Sequence, residues 1–249
     1  MLSKNHLKSK KMNKQILKNP EYLNVTYSDT KAPPSKYPSL FSKFLSKRYF
    51  LTKGKILDLG CGNAEYVRQF SNLGYKSYGL DISPNILQND DLQNVELADL
   101  ENGENPFSEE KFDYVFSKSV IEHMNNPMSL LKISHDCLRD QGTAIILTPS
   151  WKHNYKEAFY IDHTHITPFT KPSLSDALKM AGFKDVKVYY FYQLPLLWKY
   201  PFLKVFSKIF ALFPFPYAPL RDVPWSVSNR LNKYIRFSKE VMLLAVAKK

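Results

Sequence analysis

Short apolar runs alternate with helical patterns along the middle of the chain. Five runs of four to seven mostly apolar residues predict strands at Lys55–Leu59, Ser77–Leu80, Val95–Ala98, Phe112–Ser117 and Gly142–Thr148. Near the end of the chain, two more strands are predicted at Asp185–Phe191 and Glu240–Ala247.

Helical periodicity fills the spaces between these runs. Apolar residues three or four positions apart predict helices at Leu40–Phe50, Glu65–Leu73, Pro127–Leu138 and Lys171–Ala181. Strands that alternate with helices predict an α/β fold with a doubly wound, mostly parallel sheet of seven strands. In such a sheet, ligands bind at the carboxyl ends of the strands.

The first strand runs into a glycine turn with the sequence ILDLGCG, Ile56 to Gly62, and the second ends at Asp81. A pyrophosphate site needs a third glycine where this chain has Glu65. Asp58 beside the turn repels an anion and suits a cation, whereas an acid in the position of Asp81 can bind ribose hydroxyls. A nucleoside with a positively charged tail, S-adenosylmethionine, fits both acids.

Two motifs then carry a resemblance to a known family. DLGCGNA, from Asp58, and GLDIS, from Gly79, resemble motifs I and II of class I S-adenosylmethionine-dependent methyltransferases of the small-molecule and glycan type. The resemblance covers residues 51–150 and implies a Rossmann-like fold and S-adenosylmethionine as cofactor. It departs from the family pattern at Ala64, where many members have glycine.

The resemblance also implies roles for individual residues. The backbone of the glycine turn would contact the methionine moiety, and Asp81 would bind the ribose hydroxyls. Asp99 would accept a hydrogen bond from the adenine amino group, and Leu100 would lie beside the adenine ring. FDYVFSKSVIEH, Phe112 to His123, resembles motif IV, which places Ser117 to Ser119 near the methionine end. The candidate cofactor residues are Asp58, Gly60, Cys61, Gly62, Asp81, Ile82, Asp99, Leu100 and Ser117.

The segment YIDHTHITPFT, Tyr160 to Thr170, holds the first candidate for acceptor chemistry. Methyl transfer to a hydroxyl requires loss of its proton, and histidine suits that work near neutral pH. His165 matches the histidine of a D-x-T-H pattern in glycan methyltransferases that the chain resembles. We expect His165 to act as a base or a substrate orienter, with Asp162 setting its tautomer. Alternatively, these loop residues only bond the backbone.

His123 is a second candidate base because it follows the fourth strand, with Glu122 adjacent; alternatively, either residue braces the next helix. A divalent metal held by Asp162, His163 and His165 is a further alternative. Alternate spacing on a loop does not fix a coordination geometry, so we expect no metal site.

Charge is distributed unevenly over the 249 residues, whose formal net charge is +12. Residues 1–53 carry 12 lysines and arginines against two acids, residues 199–249 carry ten against two, and the middle carries 13 against 19. We expect a basic N-terminal extension at 1–50 and a methyltransferase domain at 51–249. Basic flanks can meet nucleic acid, an anionic membrane or an anionic substrate, or they form only a solvated surface.

An insertion rich in aromatic residues and proline, 193–237, lies between the last two predicted strands. One helical segment in it gathers apolar residues on a broad face, with Lys204, Ser207 and Lys208 opposite. The face consists of Phe202, Leu203, Val205, Phe206, Ile209, Phe210, Leu212 and Phe213. It could lie on a membrane, cover the active site, form a dimer contact or pack on its own domain.

Sequence signals for targeting and the number of cysteines indicate the cellular compartment of the protein. The lysine-rich start lacks the apolar stretch of a secretory signal, and no run approaches the roughly 20 apolar residues of a spanning helix. Two cysteines, Cys61 and Cys137, are too few for a disulfide framework. We expect a cytoplasmic protein, with peripheral contact at the inner face of a membrane as an alternative.

These observations favour a methyltransferase that acts on a hydroxyl of a sugar, a glycan precursor or a similar small molecule. An RNA methyltransferase that uses the basic flanks is one alternative, although the chain lacks the Asn-Pro-Pro-aromatic motif of base-nitrogen chemistry. A quinone or lipid-type acceptor is another, which the Ile-Glu-His ending allows. A non-catalytic cofactor-binding subunit is a third, against which the acids Asp58, Asp81 and Asp99 argue.

Overall fold

A computed structural model of the chain describes residues 35–84, 86, 92 and 94–249, and seven strands in it form one sheet. Their order is β3-β2-β1-β4-β5-β7-β6. The strands are β1 Lys55–Leu59, β2 Lys76–Asp81, β3 Val95–Leu97, β4 Phe112–Lys118, β5 Leu138–Pro149, β6 Lys184–Phe191 and β7 Met242–Lys248. Six of these strands run in one direction, and β7 runs antiparallel to them. The predicted fold class, a mostly parallel sheet of seven strands, is confirmed.

Helices cover both faces of this sheet. They are α1 Tyr37–Arg48, α2 Glu65–Asn72, α3 Pro127–Cys137, α4 Trp151–Asn154, α5 Lys171–Met180, α6 Pro195–Lys199, α7 Lys204–Ala211 and α8 Arg230–Lys239. Short 3-10 turns stand at Ile121–His123, Ala158–Ile161 and Pro201–Leu203. Strand β5 begins four residues earlier than predicted, because the exposed polar residues 139–141 interrupt its apolar pattern at a register shift.

The core has two layers, one on each side of the sheet. Helix α1 belongs to one of them, since Phe41 and Leu45 are fully buried and Phe41 packs on Phe116 of β4 and Phe191 of β6. Residues 37–48, which the sequence analysis assigned to the N-terminal extension, therefore contribute to the core. Residues 1–34 of that extension lie outside the described residues.

Helix α7 of the 193–237 insertion turns its apolar side chains outward. Phe206 is 60% exposed and Leu212, just beyond the helix, is 83% exposed, whereas the polar Ser207 is fully buried. The helix packs against α8, where the ring of Phe210 meets that of Tyr234. No helix within the described part of the chain is long and apolar enough to cross a bilayer.

Candidate active site

The glycine turn after β1 exposes its backbone at the carboxyl edge of the sheet. Gly60 and Gly62 have φ values of +76° and +54°, which favour glycine. A Cβ atom at Gly60 would lie 2.3 Å from Cγ2 of Val120, whereas one at Gly62 would meet nothing within 4 Å. The turn is therefore closed on the side of Val120 and open at Gly62, where a ligand can approach the backbone.

Asp81, at the end of β2, is held in place by two backbone amides. The N–H of Gly62 donates to its Oδ2 over 2.7 Å, and the N–H of Ser83 donates to its Oδ1 over 2.8 Å. Burial raises the pKa of Asp81, and these amides oppose that rise. Both oxygens keep lone pairs that can accept from a vicinal diol. The adjacent Ile82 is 44% exposed, so an apolar surface lies beside the carboxylate.

Asp58 is a buried carboxylate with an incomplete set of partners. It is 2% exposed, and its Oδ2 accepts no hydrogen bond from the described residues. Burial, with the negative charge of Asp81 second, raises the pKa of Asp58 well above its ordinary value. A buried carboxylate in this state is stabilised by a positive charge. The positively charged methionine end of S-adenosylmethionine therefore fits this corner of the turn.

Lys118 lies in the segment 117–119 that the resemblance placed near the methionine end, but no role was predicted for its charge. It ends β4, and its positive charge acts on Glu122 and Asp58, while burial lowers its pKa. The only sequence signal for it was its place inside the motif IV segment, between Ser117 and Ser119. Lys118 supplies part of the positive charge that two buried carboxylates need.

The remaining predicted cofactor residues lie around the same edge in different settings. The Asp99 carboxylate accepts from the amides of Glu101 and Asn102 in its own turn. The side chains of Leu100 and Cys61 are buried in apolar clusters, so only the Cys61 backbone faces the turn. The hydroxyl of Ser117 donates to the carbonyl of Leu59 over 2.8 Å and joins β4 to β1.

The turn Ile121–His123 lies directly beside the glycine turn, because the preceding residue, Val120, packs against Gly60. In this turn Glu122 is fully buried, and its Oε2 accepts from the hydroxyl of Thr148 over 3.0 Å. Its Oε1 is buried without a hydrogen-bond partner in the described part of the chain. Burial raises the pKa of Glu122 to about 7.

The imidazole of His123 is oriented by a hydrogen-bonded chain of three groups. Its Nδ1 lies 2.8 Å from Oγ1 of Thr164, which lies 2.6 Å from Oδ1 of Asp162. The Thr164 hydroxyl has one proton, and that proton goes to the carboxylate, so Nδ1 of His123 must be the donor to Thr164. The lone pair of the ring is therefore on Nε2.

His165 is oriented by a different group from the one expected. Its Nδ1 donates to the carbonyl of Phe159 over 2.6 Å. The expectation that Asp162 sets the His165 tautomer is therefore wrong, since that carboxylate reaches His123 through Thr164 instead. The Phe159 carbonyl leaves the lone pair of His165 on Nε2 as well.

Backbone hydrogen bonds bring the two histidines together. The amides of Ile166 and Thr167 donate to the carbonyl of Glu122 over 2.9 and 3.0 Å, and the Thr167 hydroxyl donates to that of Met124. The His123 and His165 ring centroids are consequently 4.6 Å apart.

Both rings are neutral near neutral pH. Burial, with the neighbouring His165 second, lowers the pKa of His123 to about 4, and burial lowers that of His165. His163 projects to solvent, outside this pair. The arrangement thus presents two neutral imidazoles beside a buried glutamate, next to the turn that suits a cationic nucleoside.

Comparison with known proteins places this fold in one family. Residues 32–188 match the family described as a methyltransferase domain. The chain is similar to the tRNA U34 carboxymethyltransferase of Aliarcobacter butzleri, with 27% identity over 176 residues. That alignment covers 62% of this chain and 55% of the relative.

Two other similarities concern different acceptors. The ubiquinone biosynthesis O-methyltransferase of Ruegeria pomeroyi is 28% identical over 100 residues, which cover 38% of this chain and 40% of the relative. Among solved structures, phosphoethanolamine N-methyltransferase 2 of Haemonchus contortus in complex with S-adenosyl-L-methionine has a TM-score of 0.61 at 20% identity. The structural alignment covers 92% of this chain and 59% of the Haemonchus contortus chain. At 20% identity this similarity shows a shared fold only.

Proposed function

The chain belongs to the methyltransferase-domain family and is an S-adenosylmethionine-dependent methyltransferase, and we propose that it methylates a hydroxyl of a sugar, a glycan precursor or a similar small molecule. S-adenosylmethionine supplies an electrophilic methyl group on a positively charged sulfur. The exposed backbone at Gly62 and the carboxylate of Asp81 bind its nucleoside and methionine parts. Asp58 and Lys118 set the charge of the corner in which the sulfonium end lies.

One observation carries the assignment to a hydroxyl acceptor, namely that the rings of His123 and His165 meet edge to face next to the glycine turn. Each ring is fixed at Nδ1, so the Nε2 lone pairs form the acceptor end of the site. Neutral, half-buried imidazoles are poor partners for an anionic acceptor and suit a neutral hydroxyl.

The two histidines act mainly by orientation. A ring whose pKa is lowered to about 4 holds a proton poorly at neutral pH, so the orienting role is favoured over the role of base. The acceptor oxygen attacks the methyl carbon, the carbon–sulfur bond breaks with its electron pair on sulfur, and the hydroxyl proton leaves to solvent. Holding the oxygen in line with that bond is the main contribution of the protein. Asp162 contributes indirectly, by positioning His123 through Thr164.

The test is a methyl-transfer screen with isotopically labelled S-adenosylmethionine against glycans, RNA and lipid extracts. We expect label on an oxygen of a glycan or small molecule, and slower transfer in His123→Ala and His165→Ala. Label found only on nitrogen, or full turnover in both variants, would contradict the proposal.

An RNA acceptor is the first alternative, and it draws on the basic flanks and on the similarity to a tRNA carboxymethyltransferase. Binding through phosphates weakens steeply as salt rises, because released counterions drive it. Transfer to a neutral glycan should change little between low and moderate salt. A steep loss of transfer over that range would favour RNA.

A quinone or lipid-type acceptor is the second alternative, and the outward-facing residues of α7 favour it. Phe206 and Ile209 are exposed there, and Lys204 and Lys208 belong to the same helix. Exposed apolar side chains on a helix that also carries lysines suit the surface of an anionic membrane. The protein would then act at the cytoplasmic face of a membrane, as a peripheral enzyme.

A further inference from the structure

Three side chains beside the glycine turn bring metal-binding atoms together. Glu122, His123 and His165 each offer one ligand atom, and these atoms all lie within 4.8 Å of one another. The set differs from the loop residues Asp162, His163 and His165 considered above, since His163 projects to solvent. Glu122 and His123 come from the turn after β4, and His165 comes from a separate loop.

The hydrogen-bond network fixes in both histidines the tautomer that a metal-binding imidazole needs. A histidine binds a metal through an unprotonated ring nitrogen, while its other nitrogen donates to a protein oxygen. His165 donates from Nδ1 to the Phe159 carbonyl, and His123 donates from Nδ1 to Thr164, which Asp162 holds in turn. This is the outer-sphere pattern of metal-binding histidines, and it places a lone pair on Nε2 of both rings.

The third ligand atom is the buried oxygen of Glu122. Oε2 of this carboxylate accepts from Thr148, whereas Oε1 is buried and accepts no hydrogen bond from the described residues. A buried carboxylate oxygen without a partner costs free energy unless a proton or a cation satisfies it. A cation placed between the three residues would satisfy this oxygen and the two ring nitrogens together.

We propose that Glu122, His123 and His165 bind one divalent transition-metal ion through a carboxylate oxygen and two Nε2 atoms. Two imidazoles and one carboxylate form a donor set typical of Zn²⁺, Mn²⁺, Fe²⁺ and Co²⁺ sites. Three protein ligands leave coordination positions open, as catalytic metal sites do.

The open coordination positions define a role for the ion in methyl transfer. This role rests on the proposed function, whereas metal binding itself does not. An acceptor hydroxyl bound to the ion has a lowered pKa and releases its proton to solvent more readily. Because a cation with several open positions also binds two adjacent oxygens, the preferred acceptor is a vicinal diol or a catechol-like pair.

Metal binding is tested on the full-length, untagged chain after treatment with a chelator. Co²⁺ is the probe, since its visible absorption reports coordination independently of methyl transfer. We expect one Co²⁺ per chain, and binding weaker by more than about 100-fold in His165→Ala and Glu122→Gln, because loss of an outer-sphere partner alone costs about 10- to 100-fold. His163→Ala, two residues from His165, is the matched control and should bind as the unmodified chain does.

Thr164→Val provides an independent variant that keeps all three ligands. It removes the hydroxyl between Asp162 and His123, and we expect Co²⁺ affinity to fall by about 10- to 100-fold. Bound Co²⁺ should also raise the melting temperature of the unmodified chain and of His163→Ala, but not that of His165→Ala. No binding, equal binding in His165→Ala and Glu122→Gln, or loss of binding in His163→Ala would overturn the inference.

Failure of this inference can be told apart from failure of the proposed function. Specific Co²⁺ binding without label on any oxygen would leave the metal site standing and overturn the hydroxyl acceptor. If the chelated protein still labels an oxygen at full rate and shows no Co²⁺ signal, the hydroxyl acceptor would stand and the metal site would be overturned.

Discussion

The proposed cofactor end and the proposed acceptor end of the site lie side by side on one sheet edge, yet they fix their functional groups differently. At the cofactor end, Asp81 is held by amides of the turns that follow two adjacent parallel strands. At the acceptor end, His123 and His165 are held by side chains and carbonyls of a loop far along the chain. Local backbone geometry forms the first end, and a long-range loop contact forms the second.

This difference predicts that the two ends can be damaged separately. Changes at the glycine turn should weaken cofactor binding, whereas changes at the histidine pair should slow transfer from a normally bound cofactor.

The largest effect is expected for Asp81→Ala. Two charge-assisted hydrogen bonds to a diol are worth about 1.5–3 kcal/mol each, so affinity for S-adenosylmethionine should fall by about 100-fold or more. Calorimetric titration measures this loss. Asp176→Ala, which removes an exposed acid of α5 with a weak ion pair to Lys179, is the control and should bind normally. Normal binding by Asp81→Ala would show that this carboxylate does not hold the ribose.

Removal of either imidazole should lower the rate of transfer by about 100-fold, since a misplacement of about 1 Å is enough for such a loss. The measurement is the turnover of His123→Ala and of His165→Ala at saturating cofactor. His163→Ala serves as the matched control because its ring lies outside the pair. If all three variants were slowed equally, the effect would belong to the loop and not to the histidine pair.

Asp58→Asn should stabilise the protein while it weakens cofactor binding. The raised pKa means that the folded state favours the protonated acid, so stability falls as pH rises above about 3.8 toward the raised value. The asparagine variant lacks this loss and should be more stable by about 1–2 kcal/mol at pH 8 than the unmodified chain. Urea unfolding at pH 5 and pH 8 measures the difference. A variant that is less stable at both values would contradict the role given to Asp58.

The smallest change in stability is expected on helix α7. Phe206→Ser with Ile209→Ser should alter stability by no more than about 0.5 kcal/mol, because both side chains are exposed. If α7 meets a membrane, the same pair should abolish flotation with anionic vesicles, whereas Met180→Ser, an exposed apolar residue elsewhere, should not. Flotation that persists in the double variant would remove the membrane contact.

The cofactor end could be predicted from sequence because its determinants are local. A strand that ends beside glycines, followed by a parallel strand that ends in an acid, places Asp81 next to the turn by strand register alone. The seven strands and the helices α1, α2, α3 and α5 follow from the same local patterns, whereas α4, α6 and α8 were not predicted. The N-terminal boundary was harder to predict, because the burial of Phe41 depends on contacts with distant strands.

The acceptor end could be predicted only in part. His123 and His165 were each identified as candidates from the sequence. Their pairing depends on the amides of Ile166 and Thr167, which donate to the Glu122 carbonyl, and no sequence spacing predicts such a contact. The same holds for Lys118, whose role arises from buried neighbours on other elements. For helix α7, periodicity identified the apolar face but could not say that it points outward.

The separation of the two ends is tested most directly by calorimetric titration of S-adenosylhomocysteine, the demethylated cofactor, into a His123→Ala/His165→Ala double variant. We expect a dissociation constant within about twofold of that of the unmodified chain, because we propose that the glycine turn and Asp81 hold the cofactor. A dissociation constant raised about tenfold or more, in a variant that remains folded, would show that the histidine pair belongs to the cofactor site and would contradict the account.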